Sequence, residues 1–112
     1  NVMSILVSTL TDAGHSVISA PSGDAALATY DAVGNIDVVL TDIVMPGKLQ
    51  GPALVHALRV RDANLPAVFM SGYANEATVH GNGLRPDDIR LMKPIGRKVL
   101  LEAIEQALAL RP

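Results

Sequence analysis

Short β-rich runs and helical patterns take turns along all 112 residues of this chain, and few folds accept such an order. In residues 2–10 the apolar positions Val2, Ile5, Leu6 and Leu10 recur at three- and four-residue spacing, as on one helix face, and Gly14 ends the pattern. Residues 15–20 alternate around Val17 and Ile18, which predicts a strand; Pro21, Ser22 and Gly23 make a turn, and 24–33 regains helical spacing through Leu27 and Tyr30. Residues 36–40 form a β-rich run ending in Thr41-Asp42, and Met45-Pro46-Gly47 forces a loop before a helix over 52–61. A further buried run, 67–70, ends at Ser71-Gly72, a short helix is expected over 75–80, and 89–92 precedes Lys93-Pro94. Leu100, Leu101, Ile104 and Leu108 then line one side of a closing amphipathic helix over 98–110. Strands alternating with helices imply a parallel sheet covered on both faces by right-handed crossovers, a doubly wound α/β domain spanning residues 1–112.

In such folds the functional crevice lies beyond the carboxyl ends of the strands. Asp42, Ser71 and Lys93 stand at three of those ends. A carboxylate, a hydroxyl and an ammonium at one sheet edge make a set suited to phosphoryl transfer: the carboxylate is a nucleophile able to form an acyl phosphate, and the cation offsets the charge of the transferred group. Taken singly, each residue has an ordinary structural role, Asp42 as a loop cap, Ser71 as a turn residue and Lys93 as a solvated strand end. Their joint placement is what calls for a chemical reading.

Composition removes several alternatives. With 49% hydrophobic residues the chain can enclose one core, and a net charge of -2 offers no basic field for direct nucleic-acid binding. The absence of cysteine rules out a disulfide framework or thiolate metal site and agrees with a cytoplasmic setting. No apolar run approaches the roughly 20 residues needed to span a bilayer, so no membrane association is expected. His15, His56 and His80 are scattered without metal-ligand spacing. Gly81-Asn82-Gly83 lacks the third glycine of a dinucleotide fingerprint, and Gly47-Lys48 is followed by Leu49 where a P-loop needs Ser or Thr. An enzyme or nucleotide binder therefore has little to stand on, and Met70 and Met92 read as core filler.

The run Leu40-Thr41-Asp42-Ile43-Val44-Met45-Pro46-Gly47 resembles the acceptor-aspartate motif of response-regulator receiver domains. Lys93-Pro94 resembles their lysine-proline motif, and Ala13-Gly14-His15-Ser16-Val17 with residues 20–27 resembles their first helix-to-strand junction. Phe69-Met70-Ser71-Gly72-Tyr73, Ala74-Asn75-Glu76 and Leu91-Met92-Lys93-Pro94 are similar to receiver modules of hybrid sensor histidine kinases. The resemblance implies a flavodoxin-like receiver fold and a two-component phosphorelay role, not an enzyme in itself. It makes Asp42 the phospho-acceptor, Ser71 the hydroxyl that moves toward the phosphoryl group and Lys93 its cationic partner. The Val44 backbone carbonyl would join Asp42 in binding Mg²⁺, and the Lys93-Pro94 bond would be cis, which costs little before proline. The donor would be a histidine kinase or histidine phosphotransfer protein, and the last strand with its flanking helices would offer a homodimer face.

Two departures qualify this. The family opens with a strand ending in an acidic pair that helps to hold Mg²⁺, and no counterpart occurs in these residues. Asp42 and the Val44 carbonyl make an incomplete site, since Mg²⁺ takes six near-octahedral oxygens. Either that strand belongs upstream, which the need to pair backbone groups in mid-sheet favours, or the chain is a degenerate receiver acting as a phosphorylation-independent interaction module. Asp87-Asp88 is no substitute, because it precedes the run 89–92 at the end away from Lys93, roughly 15 Å off at about 3.3 Å per residue. Second, Arg90 stands where many receivers have an aromatic switch; it reads as a solvated edge residue, or as joining Arg85, Arg97 and Lys98 in a basic partner-binding face.

Overall fold

The computed structural model describes residues 2–45, 47–72, 85–86 and 88–111. Three parallel strands, β1 (Val39–Asp42), β2 (Ala67–Ser71) and β3 (Ile89–Met92), form an open sheet in the order β1-β2-β3. Among the described residues four helices accompany them: α1 (Val2–Asp12), α2 (Gly23–Val33), α3 (Gly51–Arg61) and α4 (Arg97–Ala109). This is the doubly wound, flavodoxin-like arrangement that the alternation of patterns predicts. Strand β2 pairs on both sides and is buried at all five positions. Its alternate residues face opposite layers: Val68 meets Leu10 of α1 and Leu100, Ala103, Ile104 and Ala107 of α4, while Ala67 and Phe69 meet Val55 of α3. A third cluster, Leu54, Leu58 and Leu65 with Leu27 and Tyr30, seats α2 against α3. Helix α2 starts where the turn signal predicts, with Ser22 as a cap whose hydroxyl accepts from the Ala25 N–H at 3.1 Å.

The strand expected over 15–20 does not form. A strand needs a neighbour to take its backbone groups, and among the described residues this segment has no ladder partner. Val17 still packs against the Leu10 cluster, while Ile18 is exposed. The run 36–40 is displaced for the same reason: β1 begins at Val39, where the Pro66 carbonyl accepts the Val39 N–H and Ala67 becomes its partner, and Ile36 joins the α2–α3 cluster. The helix expected over 75–80 lies outside the described residues. No described helix is long and apolar enough to cross a membrane.

Three ion pairs tie the layers together away from the carboxyl ends of the strands. Arg61 of α3 pairs with Asp31 of α2 on the surface, and Arg111 after α4 pairs with Asp62 at the C-terminus of α3 at 2.6 Å. The third is buried: Arg59 of α3 grips Asp88 in a two-pronged contact, Nη2 to Oδ1 at 2.7 Å and Nη1 to Oδ2 at 3.2 Å, with the side chains 7% and 3% exposed. Arg59 Nε also donates to the Leu65 carbonyl at 3.0 Å, and the Arg85 N–H donates to Asp88 Oδ2 at 2.7 Å, so the buried charges are hydrogen-bonded on several sides. Removing one partner would strand the other charge in the interior. Arg59→Ala is therefore expected to lose about 3–5 kcal/mol of unfolding free energy, measured by urea denaturation; a loss below about 1 kcal/mol would mean that the pair is solvated.

The hydrogen bond from Arg111 holds the Asp62 carboxyl below its usual range, helped by the N–H of Asn64 and opposed by partial burial. A depressed carboxylate contributes stability that is present above the unfolded value, about 3.9, and is lost as pH falls through the native one. Both side chains keep solvent contact, so the contribution is about 1 kcal/mol or less. Arg111→Ala should thus cost stability near pH 6, with the gap to the parent chain closing as pH falls below 4 in thermal unfolding followed by circular dichroism.

Candidate functional site

Register decides what meets at the carboxyl edge of the sheet. Asp42 is level with Met70, and Ser71 is level with Met92. Each strand runs one residue further than its neighbour: Asp42 ends β1, Ser71 stands one step beyond that level, and Lys93 one step beyond Ser71. The Ile43 N–H donates to the Met70 carbonyl at 2.9 Å and the Lys93 N–H to the Ser71 carbonyl at 2.8 Å, which extends the ladder to the rim of the crevice. The stagger puts the Lys93 backbone about two residue rises past Asp42, roughly 7 Å, and the long lysine stem reaches back across β2. Lys93 Nζ lies 2.7 Å from Asp42 Oδ1, with the side chains 40% and 37% exposed. The following Lys93-Pro94 bond is cis, as the resemblance implies.

Asp42 Oδ1 is itself fully buried and, among the described residues, takes no hydrogen bond of ordinary geometry, although the ammonium is within ion-pair distance. The exposure of the side chain therefore resides in its other atoms, leaving Oδ2 as the oxygen that an incoming group can approach. Ser71 is buried, with its carbonyl engaged by Lys93. The edge thus offers a carboxylate, a cation in contact with it and a hydroxyl on the strand between them.

The loop after Asp42 is packed closely against its neighbours. The Gly51 N–H, at the start of α3, donates to the Ile43 carbonyl at 3.0 Å, and a Cβ built at Gly51 would lie 2.0 Å from the Asp42 carbonyl oxygen. On the other side, a Cβ at Gly23 would lie 2.5 Å from the Leu49 carbonyl oxygen. Two glycines that open α3 and α2 thereby let backbone approach backbone at this corner. Thr41, buried beside Asp42, donates through Oγ1 to the Asp42 carbonyl at 3.0 Å and lies 3.3 Å from Met45 Sδ. Val44, whose carbonyl the resemblance makes a metal ligand, has a 44% exposed side chain.

Among the described residues no three His, Asp or Glu side chains gather as a metal site would require. Asp42 and the Val44 carbonyl supply two hard oxygens suited to Mg²⁺, short of the shell that a tightly held ion takes. At the other end of β3, Asp88 is the buried partner of Arg59. Asp87 and His80 lie outside the described residues, His56 is exposed and His15 half-buried. Arg90 is exposed on the edge strand. Arg85 does not join Arg97 and Lys98: it precedes β3, where its guanidinium donates to the Ala63 carbonyl, whereas Arg97 and Lys98 begin α4 at the opposite end of that strand. Met70 is core as expected, but Met92 is 51% exposed, since β3 is an edge strand whose alternate residues face outward.

Sequence reasoning passed over two residues. Arg59 follows Val55 by four positions, hence on the same buried helix face, and that spacing was a usable signal. Gln50, which binds the loop after Asp42, gives no such signal, because its partners are backbone atoms brought near by the turn.

Comparison with known proteins agrees with this geometry. The response regulator receiver domain family matches residues 1–105. The curated relative described as Sensor kinase CckA, from Brucella abortus (strain 2308), is 33% identical over an alignment of 106 residues that covers 91% of this chain but 11% of that protein. Among solved structures, a response regulator receiver protein from Sinorhizobium medicae WSM419 superposes with a TM-score of 0.87 at 35% identity, covering 99% of this chain and 88% of the other. The receiver domain of NtrX from Brucella abortus gives a TM-score of 0.82 at 27% identity, covering 96% and 90%.

The contact at Gly51 yields a direct test. Gly51→Ala forces a methyl group into the Asp42 carbonyl and should cost about 1–3 kcal/mol while shifting the amide resonances of residues 42, 43 and 51; a variant with unchanged stability and spectrum would show that the corner is loosely packed.

Proposed function

The chain belongs to the response regulator receiver domain family, and on that premise we propose that residues 1–112 form one phospho-accepting signalling module with Asp42 as its acceptor. The observation that carries this reading is the 2.7 Å contact between Asp42 and Lys93 at the carboxyl edge of the sheet. A partly open carboxylate beside a cation is what acyl-phosphate formation needs. In the proposed reaction Asp42 Oδ2 attacks the phosphorus of a phosphohistidine, the P–N bond breaks and the imidazole leaves with its electron pair and takes up a proton. Lys93 then faces one of the anionic phosphoryl oxygens, and the Ser71 hydroxyl donates to another. Receivers as a family bind Mg²⁺ at this position; here Asp42 and the Val44 carbonyl would hold it, and it would supply further neutralisation of the transferred group.

The donor is a histidine kinase or a histidine phosphotransfer protein, and the chain itself is a signalling domain rather than an enzyme. The chain spans 11% of the length of its sensor-kinase relative; a hybrid histidine kinase is accordingly one parent compatible with this reading. The same assignment supports a cytoplasmic setting, and the net charge of -2 supports a partner other than nucleic acid. Exposed Met92 of β3 and Val99 of α4 support a homodimer face formed by the last strand and its flanking helices. A second reading, the degenerate receiver that binds partners without phosphorylation, draws on the lack of a fuller metal-ligand cluster among the described residues.

The two readings separate in one titration. Mg²⁺ with beryllofluoride, an acyl-phosphate mimic, is added to this chain and to one carrying its native upstream residues, and amide resonances are followed. Shifts around Asp42, Ser71 and Lys93 in either chain support phosphorylation, and silence in both supports the degenerate receiver. Asp42→Asn should abolish labelling by acetyl phosphate with little change in stability, and labelling that persists would move the acceptor elsewhere.

A further inference from the structure

We propose that Gln50 is a positioning residue for the acceptor loop, orienting the Val44 carbonyl through the peptide that joins Val44 to Met45; this rests on the phospho-acceptor reading above. Gln50 occupies the N-cap of α3, where Ser, Thr, Asp or Asn would ordinarily accept a hydrogen bond from the first turn. Its side chain makes no such cap bond. Of the first-turn donors, the Gly51 N–H is taken by the Ile43 carbonyl, Pro52 has no N–H, and Ala53 is exposed to solvent. The amide folds back on the loop instead. Oε1 accepts the Met45 N–H at 2.7 Å, and Nε2 donates to the Met45 carbonyl at 2.8 Å and the Gly47 carbonyl at 3.1 Å.

This pattern is specific to a primary amide of this length. A carboxylate has no donors for the two carbonyls, an ammonium has no acceptor for the N–H, and one methylene fewer shortens the reach. The bonded N–H belongs to the same rigid plane as the Val44 C=O, and in a trans peptide the two groups point in opposite directions. Holding the Met45 N–H therefore turns the Val44 carbonyl to the far side of the loop from Gln50. Thr41 Oγ1, 3.3 Å from Met45 Sδ, steadies the same residue from the strand side. The oxygen proposed as a metal ligand is thus set by a side chain that touches neither the metal nor the phosphoryl group, and losing such an orienting partner typically costs 10- to 100-fold in metal affinity.

Gln50→Asn separates this role from a structural one, because asparagine is a better helix cap but a shorter arm. Mg²⁺ alone is titrated into the full chain with its native upstream residues and into the Gln50→Asn and Gln50→Ala variants, with binding read from the Asp42, Val44 and Met45 amides and stability from thermal unfolding. The expected result is a melting temperature for Gln50→Asn at or above that of Gln50→Ala, with Mg²⁺ affinity lowered about tenfold or more in both variants. Parent-like affinity in Gln50→Asn overturns the proposal and leaves the phospho-acceptor reading intact. A parent chain that binds no Mg²⁺ and takes no label from acetyl phosphate overturns the reading and the proposal with it.

Discussion

Parallel pairing on both edges of β2 determines how far each strand runs before it meets the crevice, and every distance at the candidate site follows from that register. With Asp42 level with Met70 and Ser71 level with Met92, the three polar residues climb in single-residue steps from β1 to β3. A slip of one residue in either pairing would turn the affected side chains to the opposite face of the sheet. Such a slip is opposed by the full burial of β2, whose alternate residues are held by different helix layers. The layers that stabilise the sheet therefore also hold the site in alignment.

Two carboxylate-to-cation contacts of the same 2.7 Å length sit at opposite ends of this sheet and have different consequences. Arg59 and Asp88 are almost wholly enclosed and further hydrogen-bonded, so their charges are committed to holding α3 against the start of β3. Asp42 and Lys93 remain more than one-third exposed and lack hydrogen-bond geometry with each other, so solvent or an incoming anion can compete for the ammonium. Burial and surrounding donors, rather than distance, separate a structural pair from one available for chemistry.

The corner between β1 and α3 joins these themes. Gly51 lets the helix start against the Asp42 backbone, and Gln50 applies its amide to the loop rather than to the helix. Asp42 is thereby bounded by close backbone and side-chain contacts at this corner.

Much of this was legible in the residues alone. The periodicities placed the helices within a residue or two and located the runs that became β2 and β3, because each rests on a local pattern of buried positions. Polar residues ending apolar runs pointed to Asp42, Ser71 and Lys93, and the order of elements implied that they share an edge. Pairing was not legible: the pattern over 15–20 is that of a strand, yet no ladder forms there, since a ladder depends on a neighbour that local sequence cannot supply. Nor could local pattern show that Met92 faces outward, that Asp88 is enclosed by Arg59, or that Gln50 binds the loop five residues before it. The sequence by itself determined the described helices, the fold class and the polar residue types that end the strands, because these rest on side-chain type and spacing along the chain. Only the tertiary structure decided which groups touch, which are shielded from water and which backbone atoms a side chain can reach, because those depend on distances across the chain.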